Sequence, residues 1–238
     1  MVETTPKRKP GWIRRLWRLG IRLAMAFVVA TIVVVLLLRF LPLPVSAVMI
    51  GERVETGQWP TQVWVPWSEI SGNMPLAAIA AEDQLFPEHH GFDLQAIGKA
   101  FESNQRGRGN VKGASTISQQ VAKNVFLWKG RSWLRKGLEA WFTMWIELLW
   151  SKERILEVYL NVAEFGPGVY GVEAASQRYF ERSASQLGPS HSARLAAVLP
   201  NPKKLSAAKP SDYVLRRQRW IERQMRQLGG TAYLDSMR

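Results

Sequence analysis

The stretch RSWLRKGLEAWFTMWIELLW, residues 131–150, decides what kind of chain this is. On a helical period, Leu134, Leu138, Trp141, Phe142, Trp145, Leu148 and Leu149 make one wide apolar face. Ile146 and Trp150 make the opposite side apolar as well, and Glu139 falls on that side. Beyond Arg135 and Lys136 the helix is apolar almost all round, the pattern expected of a helix buried in a domain. An ionised Glu139 there is costly unless paired. Arg135, one turn earlier, is the partner the spacing offers for a structural ion pair. Because Glu139 lies at the polar end of the helix, it could instead face a cleft.

Working outward, the same period recurs along the chain. A helix is expected from Asn73, capped by that residue, with Pro75 in its first turn and Glu82 at its end. GASTISQQVAKNVFLW begins at Gly113. It has Ser115 or Thr116 as a cap and an apolar stripe of Ile117, Val121, Val125 and Trp128. Thr116, Gln120 and Lys123 form a polar stripe beside it, with Gln119 and Asn124 close by. That face holds amides, hydroxyls and one cation but no acid. It suits sugar hydroxyls and phosphate oxygens, and equally suits plain solvent. A further helix, with Ile155, Tyr159 and Val162 on one side, ends near Asn161; a Gly-Pro-Gly turn and another helix from about Gly171 follow. ARLAAVLP reads as a helix stopped by proline, and Val214, Ile221, Met225 and Leu228 line one face of a docked C-terminal helix with a basic outer side. The fold class is therefore mainly α.

Leu23–Leu38, LAMAFVVATIVVVLLL, carries no charge. With its flanks, residues 20–41, it spans roughly 30 Å of hydrocarbon as a helix. Residues 1–22 hold Lys7, Arg8, Lys9, Arg14, Arg15, Arg18 and Arg22 against Glu3 alone, so the N-terminus is expected to stay cytoplasmic and the rest to be exported. An uncleaved anchor is favoured over a cleaved signal peptide because the apolar run is long and Arg39, Phe40 and two prolines precede the small residues Val45-Ser46-Ala47. The formal charge is +13, much of it in that tail; an exported, tethered domain with basic excess meets anionic lipid or lipid phosphate more naturally than nucleic acid. The absence of cysteine excludes disulfides, thiolate metal ligands and a cysteine nucleophile. Residues 42–75, rich in Pro, Trp and β-formers, read as an irregular or short-stranded stalk near the membrane. Residues 102–114, with three glycines and three basic residues, read as a loop without periodicity.

AEDQLFPEHHGFD, residues 81–93, gathers Glu82, Asp83, Glu88, His89, His90 and Asp93 around Phe86 and Phe92 in an otherwise basic chain. A metal site, a general acid/base site and a solvated turn all fit these residues taken alone.

Together these stretches resemble the peptidoglycan glycosyltransferases of glycosyltransferase family 51, most closely the monofunctional, membrane-anchored biosynthetic type. EDQLFPEHHGFD matches the pattern EDxxFxxHxGxD at Glu82, Asp83, Phe86, His89, Gly91 and Asp93. GASTISQQVAKN is similar to GGSTITQQxxKN, departing at Ala114 and Ser118, and RKGLE matches RKxxE. ILEVYLN with FGPGVYG, and AAVLPNP, resemble the remaining two motifs. The resemblance implies a lysozyme-like, two-lobed α-helical catalytic domain over residues 73–238, behind a basic tail (1–19), an anchor (20–41) and a stalk (42–72). The chain stops soon after the fifth motif, so no transpeptidase domain is expected.

By the same resemblance the protein polymerises lipid II into β-1,4 glycan strands by inverting transfer at the bacterial inner membrane. Glu82 would be the base and Glu139 the second essential carboxylate. Asp83, Phe86, His89, Ser115, Thr116, Gln119, Gln120, Lys123, Asn124, Arg131, Arg135 and Lys136 would contact or position substrate. Lys123, Arg131 and Arg135, with the helix N-terminus at Ser115-Thr116, would steady the departing pyrophosphate. Glu139 would orient the pyrophosphate through a divalent cation, Mg or Mn, or stabilise the cationic transition state. No tightly bound cofactor is implied. The expected partners are lipid II, the growing lipid-linked strand, the membrane and other wall-synthesis or division proteins, not nucleic acid. The rivals are a lytic enzyme of lysozyme type, which uses a Glu as general acid, and a non-catalytic anchored scaffold.

Overall fold

The computed structural model describes residues 11–95, 98, 115–130 and 132–237, and is mainly helical. Helix α1, Gly11–Leu38, is long and apolar enough to cross a membrane. Then come α2 (Ala47–Thr56), strand β1 (Thr61–Gln62), α3 (Asn73–Glu82), α4 (Ile117–Phe126), α5 (Trp133–Leu149) and α6 (Lys152–Val162). A hairpin of β2 (Glu164–Gly166) and β3 (Val169–Tyr170) leads to α7 (Val172–Phe180), α8 (Pro189–Val198), α9 (Asp212–Gln227) and a closing 3-10 segment, Gly230–Met237. The small sheet has the order β1-β3-β2, with β1 parallel to β3 and β2 antiparallel to it.

Helix α3 is apolar all round, and Met74 through Ala80 are all buried. Its alanines let α8 and α9 approach closely, while α4 packs on α5 and α6. Val214, Ile221 and Met225 seat α9 on this core as its periodicity predicts. Asn73 does not cap α3: it is the first helical residue, and its amide donates to Ser71 Oγ at 3.1 Å and to the Leu187 carbonyl at 3.2 Å. Tethering to a neighbouring segment displaces the local cap.

Two larger corrections concern the segments around the anchor. Residues 42–75 are not merely irregular: α2 forms there, and Val48, Met49, Val65 and Ile70 join the core. The long-range anchor is Asn161, fully buried on α6. Its side chain accepts from Val65 N–H at 2.9 Å and donates to the Val65 carbonyl at 2.9 Å and the Glu157 carbonyl at 2.9 Å. No sequence period reports such a contact.

Helix α5, second, is not sunk in the domain. Glu139, Thr143 and Ile146 are buried, but Trp133 is 93% exposed, Leu134 70% and Leu148 69%. Its apolar perimeter has a different cause: α5 packs on α1. The Trp141 ring stacks on Phe27 at 5.9 Å, and the Trp150 indole N–H donates to the Val35 carbonyl at 2.8 Å. Arg154 Nη2 caps the end of α1 by donating to the Leu38 carbonyl at 2.7 Å and also to that of Leu41. An anchor that reads as a tether is thus docked onto the domain.

Replacing Asn161 with Ala strands both backbone groups of Val65 and is expected to cost about 2–4 kcal/mol of stability. Denaturant or thermal unfolding of the detergent-solubilised chain measures this; an unchanged midpoint would remove Asn161 as the clamp of this segment.

Candidate active site

Helix α3 delivers Glu82 as its last residue, and the chain turns sharply at Asp83. Gln120 on α4 donates its amide N–H to Glu82 Oε2 at 3.1 Å, and Arg217 Nη2 on α9 lies 3.6 Å from Oε1. Burial raises the Glu82 pKa above the usual carboxylate value, against the pull of Gln120, Arg217 and Lys123. Beneath it the Tyr159 hydroxyl is buried without a hydrogen-bond partner; burial and the charges of Glu82 and Asp83 push its pKa well up.

Asp83 spends both oxygens on the framework. Oδ1 lies 2.8 Å from His89 Nε2, and Oδ2 accepts the Ile117 N–H at 2.9 Å, at the start of α4. His89 Nδ1 accepts the Gly91 N–H at 3.1 Å, which makes Nε2 the protonated nitrogen donating to Asp83. Both imidazole nitrogens are therefore engaged, so His89 is a spacer rather than a metal ligand. Phe86 is fully buried beside it, under the Lys152 ammonium at 4.5 Å. The Gly91 carbonyl accepts from Thr116 Oγ1 at 2.7 Å, closing the connection to α4.

Thr116, not Ser115, caps α4, in a reciprocal box with Gln119: Thr116 Oγ1 accepts Gln119 N–H and Gln119 Oε1 accepts Thr116 N–H. With Ile117 N–H taken by Asp83, three amides at this helix start are used internally. Those three amides, expected as donors to a phosphate, are engaged within the protein here. Ser115 is exposed, and Arg131 and the loop 102–114 lie outside the described residues. Trp128, read as part of the apolar stripe, lies past the helix end and is half exposed.

Of the predicted set, Lys123, Asn124 and Arg135 line a hollow of about 420 Å³, together with Glu164, Tyr170 and Lys203, among others. Among the described residues the Lys123 ammonium makes no hydrogen bond, although its backbone carbonyl accepts the Leu127 N–H at 3.1 Å. Burial lowers its pKa, opposed first by Glu139 and then by Glu82, so its ammonium feels both carboxylates. Glu139 is buried on α5, with Arg135 Nη1 at 3.4 Å from Oε2 and Lys136 bonded to Oε1. Among the described residues no three His, Asp or Glu side chains gather to hold a metal, and cations already engage both Glu139 oxygens. The donor set therefore does not fit a divalent ion at Glu139.

Sequence reading missed three contributors. Arg217 lay hidden in the basic RRQRW run, on a helix read as docked with a basic outer side. Glu164, whose pKa burial raises and whose Oε1 is buried without a hydrogen-bond partner among the described residues, sits beside the Gly-Pro-Gly turn, where no site residue was expected. Glu147 bonds Ser118 and pairs with Lys152 at 2.8 Å, tying α5 to α4 and to the His89 carbonyl. None carries a local signal, because each is turned inward by tertiary packing.

A family model described as transglycosylase matches residues 49–226. The biosynthetic peptidoglycan transglycosylase of Xanthomonas axonopodis pv. citri is 54% identical over 97% of this chain and 94% of its own length. Proteins of the same description from Pectobacterium carotovorum subsp. carotovorum and Chromohalobacter salexigens are 53% and 52% identical, covering 94% and 95% of this chain and 94% and 98% of their own lengths.

Gly91 holds φ at +84°, and a Cβ there would lie 2.7 Å from Thr143 Cγ2 and 2.9 Å from Glu147 Cγ. Gly91→Ala is expected to lose about 1–3 kcal/mol from backbone strain alone, with a loss of activity as the turn shifts away from Thr116. A melting temperature equal to that of the parent would contradict this.

Proposed function

Since this chain belongs to the transglycosylase family, we propose that it polymerises a lipid-linked disaccharide-peptide, lipid II, into β-1,4 glycan strands of peptidoglycan. Glu82, as general base, takes the proton from the acceptor's 4-hydroxyl. The freed oxygen bonds to the donor's anomeric carbon from the face opposite the leaving group. The bond from that carbon to the pyrophosphate breaks, so configuration inverts and polyprenyl pyrophosphate departs. The observation that carries this reading is that Gln120 on α4 bonds Glu82 while Lys123, three residues on along the same helix, lines the hollow beside Arg135, its ammonium free of any hydrogen bond among the described residues. That ammonium is the group available to meet a departing diphosphate.

Burial helps the base, because a carboxylate with a raised pKa removes a hydroxyl proton better than an ordinary one. Glu139 acts through its cations: it pairs with Lys136 and holds Arg135 against the hollow, where positive charge is needed as the pyrophosphate leaves. Asp83, His89, Thr116 and Gln119 position the base and helix α4, while Gln120 orients the Glu82 carboxylate. Glu139's own donor set leaves no step to a metal.

The anchor explains how substrate and site meet. With α1 across the inner membrane and its basic end in the cytoplasm, the domain sits on the exported side with α5 against the bilayer. Trp133, Leu134, Met144 and Leu148 then face lipid, where an apolar perimeter costs nothing. A polyprenyl-linked donor stays in that bilayer while its sugars enter the hollow.

Glu82→Gln should cut polymer formation from purified lipid II by at least about 100-fold without changing the unfolding midpoint; wild-type turnover would refute the base assignment. In the parent, activity should rise with pH along a limb lying above the ordinary carboxylate value of 4.5, because Glu82 must be ionised to work and its pKa is raised. A limb at or below that value would contradict it. Product length separates the lytic rival, which would shorten finished strands and leave lipid II untouched.

A further inference from the structure

Arg217 is a cation that the mechanism above does not use. It projects from α9 and approaches the Glu82 oxygen that Gln120 leaves unbonded. Its Nη2 donates to the Ala81 carbonyl at 3.3 Å and sits 3.6 Å from Glu82 Oε1, while its Nε is buried without a partner. The guanidinium carbon lies 5.9 Å from the Trp220 ring centre. Tyr213, Arg216, Arg217 and Trp220 together line a shallow hollow of about 250 Å³. A structural Arg–carboxylate pair is normally bidentate, with both partners' hydrogen-bonding groups consumed. This one is monodentate, longer than a hydrogen bond, and leaves the buried guanidinium Nε without a partner among the described residues.

We propose that Arg217 is a positioning residue for the reaction: it is the counter-ion that keeps Glu82 ionised and holds its carboxylate in place while the site is buried. The inference rests on Glu82 being the base. The other groups facing Glu82 cannot substitute for it. From α4, Gln120 contributes a neutral hydrogen bond, and Lys123 acts only through space and is shared with Glu139. From its own segment Asp83 repels it, and from α6 Tyr159 is a neutral phenol. Arg217 is thus the only cation among the described residues in ion-pair contact with Glu82. The held carbonyl of Ala81, one residue before Glu82, fixes the guanidinium against the end of α3.

Removing a cation at this distance leaves the burial of Glu82 less opposed and moves its proton affinity upward. Arg217→Gln should therefore shift the acidic limb of the pH–rate profile to higher pH. The variant's deficit relative to the parent should narrow by about tenfold from the acidic to the alkaline end of the profile. Arg217→Lys, which keeps a charge, should restore most of the limb's position. Both variants are assayed as full-length protein on lipid II, with unfolding midpoints recorded. A deficit equal at every pH, or none at all, overturns the inference, as does a lysine variant no better than glutamine. Glu82→Gln run alongside separates the two readings: if it keeps turnover, the base assignment itself has failed, whereas an inactive Glu82→Gln with a pH-independent Arg217→Gln deficit rejects only the role given to Arg217.

Discussion

The carboxylate of Asp83 holds the site together. One oxygen receives the protonated nitrogen of His89 and the other receives the first free amide of α4. Between them they join the end of α3, the turn through Gly91 and the start of α4 into one rigid corner. Charge-assisted bonds of this kind are about twice as strong as neutral ones, and this pair is buried, where nothing in solvent competes. Glu82 is adjacent in sequence, so its direction follows from Asp83's. Gln120 follows from α4. Without the corner, α3 and α4 would carry the same residues with no fixed distance between the base and Lys123.

For the reaction proposed above, that corner also decides which groups are left to meet a diphosphate. A helix start offers backbone amides to an anion, but here Asp83 and the Thr116–Gln119 box consume three of them. Side-chain cations take over: Lys123 from the middle of α4, Arg135 and Lys136 from the first turns of α5. Burial disfavours Lys123's charge, and Glu139 and Glu82 restore part of what burial removes. The two carboxylates are thus linked by the cation between them. Each helps keep Lys123 charged, and Lys123 in turn offsets the burial of Glu82.

Much of this was legible in the sequence, for identifiable reasons. Helices α3 to α9 announce themselves because each buries a stripe or a whole perimeter, and the 3.6-residue period survives any tertiary context. Thr116 and Gln119 form a box with a three-residue spacing, and Glu139 pairs with Arg135 one turn away, so both are local facts. What escaped was non-local. Asn161 clamps Val65 across 96 positions, and Arg217 reaches Glu82 across more of the chain than that. No spacing rule registers such contacts. Helix α2 escaped for a different reason: Gly51 and the Trp- and Pro-rich sequence after it dilute its propensity, and it is kept helical by Val48 and Met49 entering the core.

Helix α5 shows how a correct pattern can carry two meanings. An apolar perimeter says that water is excluded on every side, and a soluble chain satisfies that only by burying the helix. Beside α1 there is a second solution. The inner side, Glu139, Thr143 and Ile146, belongs to the domain; Trp141 and Trp150 bond to α1 at Thr31 and Val35; the outer side, with Trp133, Leu134 and Leu148, is left bare. A bare apolar surface of that size on a water-soluble protein is an aggregation hazard. Against hydrocarbon it is neutral, and it fixes the depth at which the domain rides. Because Glu139 projects from the same helix, the depth of α5 in the bilayer sets the height of the hollow above the lipid. On the membrane placement and reaction proposed above, the carboxylate that pairs with Arg135 and Lys136 is then held, by the helix that carries it, at the level where a lipid-linked diphosphate would emerge.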